Sequence, residues 1–142
     1  MRMELVDIVL RSHSLSMDKD FFPALVDSWD AYALESMASI TSWSVLPDME
    51  QPSLVRFVQS VGLRWVHSED GEERIAATID AQYGLLFSTE VGLQSLAIDE
   101  LISERVISSV WPYWRQDFAQ MAMKASLPMV VIPPDPDFSL KS

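Results

Sequence analysis

Two neighbouring segments of the chain alternate apolar and polar residues, which is the pattern of half-buried β-strands. Most odd-numbered residues of 54–67 are apolar, and every odd-numbered residue of 75–87 is apolar. The segment between them, SEDGEE at residues 68–73, is polar and contains Gly71, which can adopt the positive φ of a tight turn. The pattern predicts a long antiparallel hairpin over residues 54–87.

A further strand is predicted near the N-terminus, over residues 4–17. The apolar residues at positions 6, 8 and 10 share one face, whereas Leu15 and Met17 fall on the other parity. Because side chains alternate strictly along a regular strand, this change of parity predicts a bulge or bend near Ser12–Ser14.

Residues 18–50 fit two descriptions. Four large residues are spaced as one helical stripe would be: Leu25, Trp29, Tyr32 and Met37. Residues 36–46, however, are rich in Ser, Thr and bulky apolar residues and fit a strand that ends at Pro47. We favour an irregular crossover over residues 18–33, followed by a strand over about 35–46.

Beyond residue 96 the apolar period changes to about 3.6 residues and continues to Ala125, as a buried helical face requires. Pro112 lies inside this stretch, where a proline breaks a helix unless a new one starts beside it. Ser108 or Ser109 could cap such a new start. We therefore predict two helices, over about 97–108 and 110–125.

The segment 128–142 contains four prolines and is predicted to be extended. Strands followed by helices, without alternation, are typical of an α+β domain. The sequence therefore predicts a single domain over residues 1–142, in which a four-stranded antiparallel sheet carries C-terminal helices on one face.

The formal net charge is −11, and this excludes nucleic acid and anionic membrane as natural partners, since both need a positive surface. The chain has no Cys, and its first residues are too charged for a signal peptide. No apolar run approaches the roughly 20 residues of a spanning helix, so we expect a cytoplasmic protein. Five Trp and eight Met favour an assembly with covered faces, or alternatively a well-filled monomer core.

The residues needed for catalysis are scarce. His13 and His67 are the only histidines, and neither has a carboxylate at a ligand spacing. No nucleophile elbow, Gly-rich phosphate loop or metalloprotease motif occurs. The acidic residues of 68–73 fit a solvated turn, and those of 99–104 fit the first turn of a helix. We predict no catalytic residue, no metal, no cofactor and no enzymatic activity.

The C-terminal segment resembles SecB protein-export chaperones, where an aromatic-Pro-Tyr-x-Arg motif opens a long helix that leads through a loop to a Pro, an apolar triplet and a second Pro. Seven elements of this chain match that pattern in spacing: Trp111, Pro112, Tyr113, Arg115, Pro128, the triplet 130–132 and Pro134. The hairpin extends the likeness, because its second strand closes on Leu86-Phe87-Ser88, similar to the apolar-Phe-Ser sequence of the family. Pro23 and Trp29 resemble a Pro and a Trp of the family's crossover.

This resemblance implies a SecB-like fold, a homotetramer built as a dimer of dimers with helices at the interface, and grooves that hold unfolded polypeptide clients. The candidate peptide-binding residues are the aromatic residues of the crossover and the following strand: Phe21, Phe22, Trp29, Tyr32 and Trp43. The alternative is that these are ordinary core residues beneath the crossover.

The resemblance also implies docking to the SecA motor through acidic residues on the sheet face, and Asp80 occupies one such position. Thr78, however, replaces an apolar residue, and Ser12 and Ser16 stand where acids would be expected. These departures argue against SecA as a partner. Three functions therefore remain open: a general export chaperone, a dedicated chaperone for one client such as an antitoxin, and an adaptor subunit with a fixed partner.

Overall fold

The computed structural model describes residues 3–46, 53–89, 99–128, 130 and 132–136. Two short 3₁₀ turns, Pro23–Leu25 and Trp29–Ala31, lie in the crossover between the first two strands. The strands and the helix, in chain order, are β1 (Met3–Met17), β2 (Tyr32–Val45), β3 (Ser53–Glu69), β4 (Glu72–Thr89) and α1 (Glu100–Lys124).

The four strands form one antiparallel sheet in the order β1-β4-β3-β2, so the hairpin β3–β4 is central and β1 and β2 are the two edges. The crossover therefore carries the chain from one edge of the sheet to the other. With α1 packed on one side of this sheet, the predicted α+β fold with a four-stranded antiparallel sheet is confirmed.

The turn of the central hairpin is a two-residue loop. Glu69 pairs with Glu72, and both residues between them, Asp70 and Gly71, have positive φ, at 53° and 80°. Positive φ at both central residues is what a type I′ turn requires, and Asp-Gly is among its preferred sequences. The Asp-Gly pair therefore fixes the register of the two longest strands.

Strand β1 contains two irregularities in its pairing with β4. One lies between Leu5 and Asp7 and the other between Leu10 and Ser12. The second lies just before the bulge predicted near Ser12–Ser14, and it produces the change of parity seen in the sequence.

The predicted break between two helices at Pro112 is wrong, because α1 runs continuously from Glu100 to Lys124 with Pro112 inside it. Six of its eight buried residues recur at every fourth position, at Ile102, Val106, Val110, Trp114, Phe118 and Ala122. Pro112 lies on the exposed side of the helix. Water can there bind the carbonyl group that the proline leaves unpaired, so the helix tolerates the residue without ending.

Both ends of α1 are capped by local sequence. The Asp99 side chain accepts a hydrogen bond from the backbone N–H of Ile102 at 2.9 Å, as an N-cap does. At the other end Ser126 adopts a left-handed φ of 58°, and Leu127 N–H donates to the Ala122 carbonyl at 3.0 Å. This is the bond pattern of a Schellman motif, with Ser in the position that usually holds Gly.

The core lies between α1 and the two central strands. Trp65 stacks on Phe118 with ring centroids 6.0 Å apart, and Phe57 contacts Phe87 edge to face at 5.7 Å. One polar pair lies within this layer: the Tyr83 hydroxyl donates a hydrogen bond to the Asp117 carboxylate of α1. Apart from Ile75, which pairs with Val66 beyond a register shift and is exposed, the apolar odd-numbered residues that predicted the hairpin are thus the ones that face the helix.

The tail after α1 folds back along the helix. The Trp111 indole N–H donates to the Pro133 carbonyl at 2.7 Å, and Arg115 Nε donates to the Ile132 carbonyl at 3.1 Å. Leu127 and Ile132 are buried. The predicted tail beyond residue 136 lies outside the described residues.

Candidate functional site

Three of the predicted peptide-binding residues form one aromatic cluster. Phe21 lies 6.0 Å from Trp29 and 5.9 Å from Tyr32 between ring centroids, and Trp29 lies 5.1 Å from Tyr32. All three are half-buried and pack against the edge of the core. The cluster therefore has one side against the protein and another that faces solvent.

The backbone of the crossover is held at several points. Asp18 N–H donates to the Ala76 carbonyl at 2.9 Å, and the Asp18 carboxylate pairs with Arg74 at 3.3 Å, so the crossover begins fixed to β4. Pro23 opens the first 3₁₀ turn, and the Ser28 side chain caps the second by accepting from Asp30 N–H at 3.2 Å. Proline and serine at these positions favour such turns.

In front of this cluster lies a cavity of about 410 Å³. Its walls come from the crossover, the first residue of β2 and the end of β3: Asp20, Phe21, Phe22, Leu25, Val26, Asp27, Ser28, Ala31, Tyr32 and His67. Phe22 is 59% exposed and Leu25 is 77% exposed. Large apolar side chains that remain in water beside a cavity mark a surface that can take an apolar ligand.

The predicted residues do not all meet at this cavity. Phe21, Phe22 and Tyr32 line it, whereas Trp29 stands behind it as part of the ring cluster. Trp43 lies elsewhere, opposite Phe57 near the far end of β2. Trp43 lies eleven residues after Tyr32 along the strand, a span of roughly 35 Å at about 3.3 Å per residue.

Sequence reasoning missed several residues of the cavity. Leu25 lies in the predicted crossover but is not among the predicted binding residues; it ends a 3₁₀ turn with its side chain in solvent. His67 is half-buried at the end of β3, and its ring lies 4.9 Å from that of Tyr32, because the two residues pair across β2 and β3. The signal available in the sequence was the run of apolar and acidic residues from Asp20 to Asp27, which is too apolar for an ordinary solvated loop.

The two edge strands carry further exposed apolar side chains. On β1 the exposed residues are Leu5, Val6, Val9, Leu10 and Leu15, and on β2 they are Leu34, Met37 and Trp43. Leu34 and Trp43 pair with Trp65 and Phe57, so they lie on the same side of the sheet as the helix, beyond its edge. The helix-facing side of β2 thus leads from the cavity to Trp43.

The motif that carries the resemblance has a structural role in this chain. Trp111 and Arg115 hold the tail through the hydrogen bonds described above, while Pro112 and Tyr113 are exposed on α1. Pro128 is half-buried after the helix, and Pro134 is exposed beyond the two bonded carbonyls.

Asp80, the predicted SecA contact, lies on the sheet face opposite α1. Its carboxylate accepts a hydrogen bond from the Ser14 hydroxyl at 2.9 Å. Ser14 thus engages one of the two oxygens of this carboxylate.

Within the described ranges, no group of three His, Asp or Glu side chains could hold a metal ion. No helix among the described residues is long and apolar enough to cross a membrane.

No protein-family model and no curated protein sequence matches this chain. Among solved structures, it is similar to a SecB-like chaperone of Mycobacterium tuberculosis in complex with a ChAD peptide from the HigA1 antitoxin. The TM-score is 0.60 and the identity 18%, over 93% of this chain and 90% of that chain. It also matches a protein of unknown function from Streptococcus agalactiae, with a TM-score of 0.41 and 10% identity, over 94% of this chain and 98% of that chain. The likeness to the mycobacterial protein establishes that this chain has a SecB-like fold.

Proposed function

We propose that this protein is a chaperone that holds unfolded polypeptide segments and catalyses no reaction. The observation that carries the proposal is the cavity of about 410 Å³ in the crossover, which Phe22 and Leu25 border while largely exposed. An apolar side chain of a client would cover these residues. The SecB-like fold and the peptide bound to the mycobacterial protein support the same conclusion.

A client must make several apolar contacts to bind well. Burying one large apolar side chain contributes about 1.5–3 kcal/mol, whereas micromolar affinity corresponds to about −8 kcal/mol. Ordering an extended client costs further free energy. One cavity is therefore too little, and the exposed strip from Leu34 to Trp43 along β2 offers the additional contacts that an extended segment needs.

We propose that the protein assembles as a homotetramer, a dimer of dimers. The exposed apolar side chains of β1 support an assembly, because a strongly charged chain rarely leaves such a row in water along the edge of a sheet. Repeated cavities in one assembly would also raise the avidity for a long client.

Two kinds of chaperone are compatible with this proposal, and they differ in the range of clients. A general export chaperone would bind many unfolded chains and pass them to SecA, with Asp80 as one contact. A dedicated chaperone would bind one client, and two observations favour it: the hydrogen bond from Ser14 to Asp80, and the antitoxin peptide in the similar mycobacterial structure. Retention of SecA on the immobilised protein would favour the export role, and a lack of retention the dedicated role.

The proposal is tested by the aggregation of a chemically denatured, unrelated protein, followed by light scattering. The protein should suppress aggregation, and Leu25→Ser should reduce the suppression several-fold. Leu101→Ser is the matched control, because Leu101 is 75% exposed on the helix, away from the cavity. An adaptor subunit with a fixed partner would show no suppression, and equal loss in both variants would contradict the assignment of the cavity.

A further inference from the structure

The side of the sheet opposite α1, here called the open face, carries charged side chains whose carboxylates are largely engaged. Glu35 forms an ion pair with Arg64 at 2.5 Å, and Asp80 accepts a hydrogen bond from Ser14 at 2.9 Å. Asp7, which pairs with Leu86 of β4, accepts a hydrogen bond from the neighbouring Ile8 N–H at 2.9 Å. Each of these carboxylates therefore already has a partner within the protein.

Arg11 is placed differently, since its side chain lies across Gly84 of the neighbouring strand. A Cβ atom at Gly84 would stand 2.9 Å from Arg11 Cδ and 3.4 Å from its Nη1. The absence of a side chain at Gly84 thus lets the arginine stem lie flat on the sheet and brings its guanidinium group over β4. No hydrogen bond or ion pair within the described part of the chain involves Arg11.

Arg56 supplies a second guanidinium group on the same part of the open face. It pairs across the sheet with Leu86, two residues along β4 from Gly84, and its side chain is exposed. One of its nitrogens, Nη2, donates to the Ser44 hydroxyl at 3.0 Å. A guanidinium group has five N–H donors, so Arg56 retains donors for a partner.

Apolar side chains lie between the two arginines. Val9 pairs with Gly84 and is 46% exposed, while Val58 also pairs with Gly84 and is half-buried beside Leu86. The patch therefore alternates cationic and apolar groups over three adjacent strands, β1, β4 and β3, on a protein whose net charge is −11.

We propose that this patch of the open face, Arg11, Arg56, Val9, Val58 and Leu86, is a docking surface for an acidic polypeptide segment of a partner protein. The planar guanidinium group binds a carboxylate through two parallel hydrogen bonds, and an apolar residue between two acids would cover the valines. A nucleic acid fits less well, because binding its phosphate backbone requires many cations and this patch has two. The patch is distinct from the crossover cavity, so a client and this partner could bind together.

The test measures fluorescence anisotropy of a labelled peptide made of three Glu-Val-Asp-Gly repeats, at about 50 mM NaCl. The same peptide with Lys in place of each acid is the peptide control. The protein should bind the acidic peptide and not the Lys peptide, and Arg11→Glu with Arg56→Glu should weaken binding at least tenfold. Lys124→Glu is the matched protein control, because Lys124 is an exposed cation at the end of α1, away from the open face, and its reversal should leave binding within about twofold.

A second variant separates position from charge. Gly84→Ala keeps the charge of the protein but pushes Arg11 off the sheet, so it should weaken binding of the acidic peptide several-fold. Phe22→Ala, in the crossover cavity, should leave that binding unchanged even where it abolishes client holding. Circular dichroism confirms that each variant is folded.

The proposal is overturned if the acidic peptide does not bind, or if it binds the double variant as tightly as the parent protein. It is also overturned if Phe22→Ala weakens binding of the acidic peptide as much as the double variant does, because the peptide would then occupy the cavity. Two further results would replace it: tighter binding of a labelled oligonucleotide would identify a nucleic-acid surface, and a lower mass of the double variant would identify a contact between copies of this chain.

Discussion

At the scale of single residues, the Tyr83–Asp117 pair stands out because it places a charged group against a buried phenol. Tyr83 is fully buried beneath α1, and its hydroxyl donates to the Asp117 carboxylate. Burial raises the pKa of Tyr83 well above its usual value, and the hydrogen bond to Asp117 and its negative charge raise it further. The folded protein therefore holds this proton more tightly than the unfolded chain does.

The raised pKa predicts a loss of stability in alkaline solution. Above about pH 10 the unfolded chain releases the phenol proton while the folded protein keeps it, so the free energy of unfolding falls by about 1.4 kcal/mol per pH unit. Tyr83→Phe should remove this part of the slope, since phenylalanine has no proton to lose. Denaturant unfolding between pH 9 and pH 11 measures the slope, and Tyr113→Phe, an exposed tyrosine, is the control. A slope unchanged in Tyr83→Phe would contradict the prediction.

Ser126 is a second residue whose local geometry makes a prediction. Its left-handed φ of 58° costs an L-amino acid roughly 1 kcal/mol, which glycine avoids. Ser126→Gly should therefore raise the free energy of unfolding by about 0.5–1 kcal/mol in urea titrations. Ser126→Ala should not raise it, because alanine keeps the Cβ atom, and a gain of equal size in both variants would show that the conformation is not the cause.

At the scale of secondary-structure elements, α1 continues through Pro112 because this proline lies on the exposed side of the helix and not on its buried face. Proline costs about 3 kcal/mol relative to alanine inside a helix, although part of that cost is relieved where the helix faces water. Pro112→Ala should thus stabilise the protein by 1 kcal/mol or more, seen as a rise in Tm. Tyr113→Ala, the exposed neighbour, should give no such rise. A fall in Tm for Pro112→Ala would mean that the proline makes a contact of its own.

The tail is the element that Trp111 and Arg115 hold in place. Trp111→Phe keeps an aromatic ring but removes the indole N–H that donates to the Pro133 carbonyl at 2.7 Å. Loss of one such bond costs about 0.5–1.5 kcal/mol, and the freed tail should be cut faster by a protease. Trp29→Phe, whose indole takes no part in holding the tail, should leave the cleavage rate unchanged, and equal rates for all three proteins would contradict this role.

The sequence predicted those elements whose signal is local. The hairpin was predictable because its alternation and its Asp-Gly turn agree, and the first strand because its change of parity marks a bulge. The continuity of α1 was not predicted, because a proline ends a helix only where its effect cannot be relieved by solvent. The four-residue spacing from Ile102 to Ala122 marks the buried face of α1, and Pro112 does not belong to that series. The strand order β1-β4-β3-β2 depends on contacts between distant segments, which periodicity does not record.

Because periodicity does not record contacts between distant segments, only some of the predicted binding residues line the cavity. Phe21, Phe22 and Tyr32 were placed together because they are close in sequence and the crossover folds locally. Trp43 lies in the segment that we predict to be a strand over about 35–46, and its distance from the crossover depends on that segment being extended. Because the segment is an extended strand, Trp43 lies near the end of β2 that is far from the cavity. Only a client that runs along β2 would contact both the cavity and Trp43.

At the scale of the whole molecule, many of the exposed apolar side chains lie at the crossover and along the two edge strands. The helix covers the central hairpin, the crossover holds the cavity, and both edge strands present apolar side chains to water. A net charge of −11 opposes non-specific aggregation, because copies of the chain repel one another. Specific association must overcome this repulsion, which burial of complementary apolar side chains can do. The edge β1, whose exposed apolar residues run along nearly its whole length, is the surface best suited to a second copy.

The proposed tetramer gives the last prediction. Light scattering should report a mass of about 64 kDa, four times the 16.1 kDa of one chain. Leu10→Lys should lower this mass, because a charge placed among the exposed apolar residues of β1 would have to be buried without a partner when copies meet. Leu25→Lys, at an equally apolar but separate position beside the cavity, should keep the mass and lose the suppression of aggregation. If Leu10→Lys keeps the parent mass, β1 is not the contact between copies, and if the parent protein itself has a mass near 16 kDa, the exposed apolar residues of this edge serve clients instead.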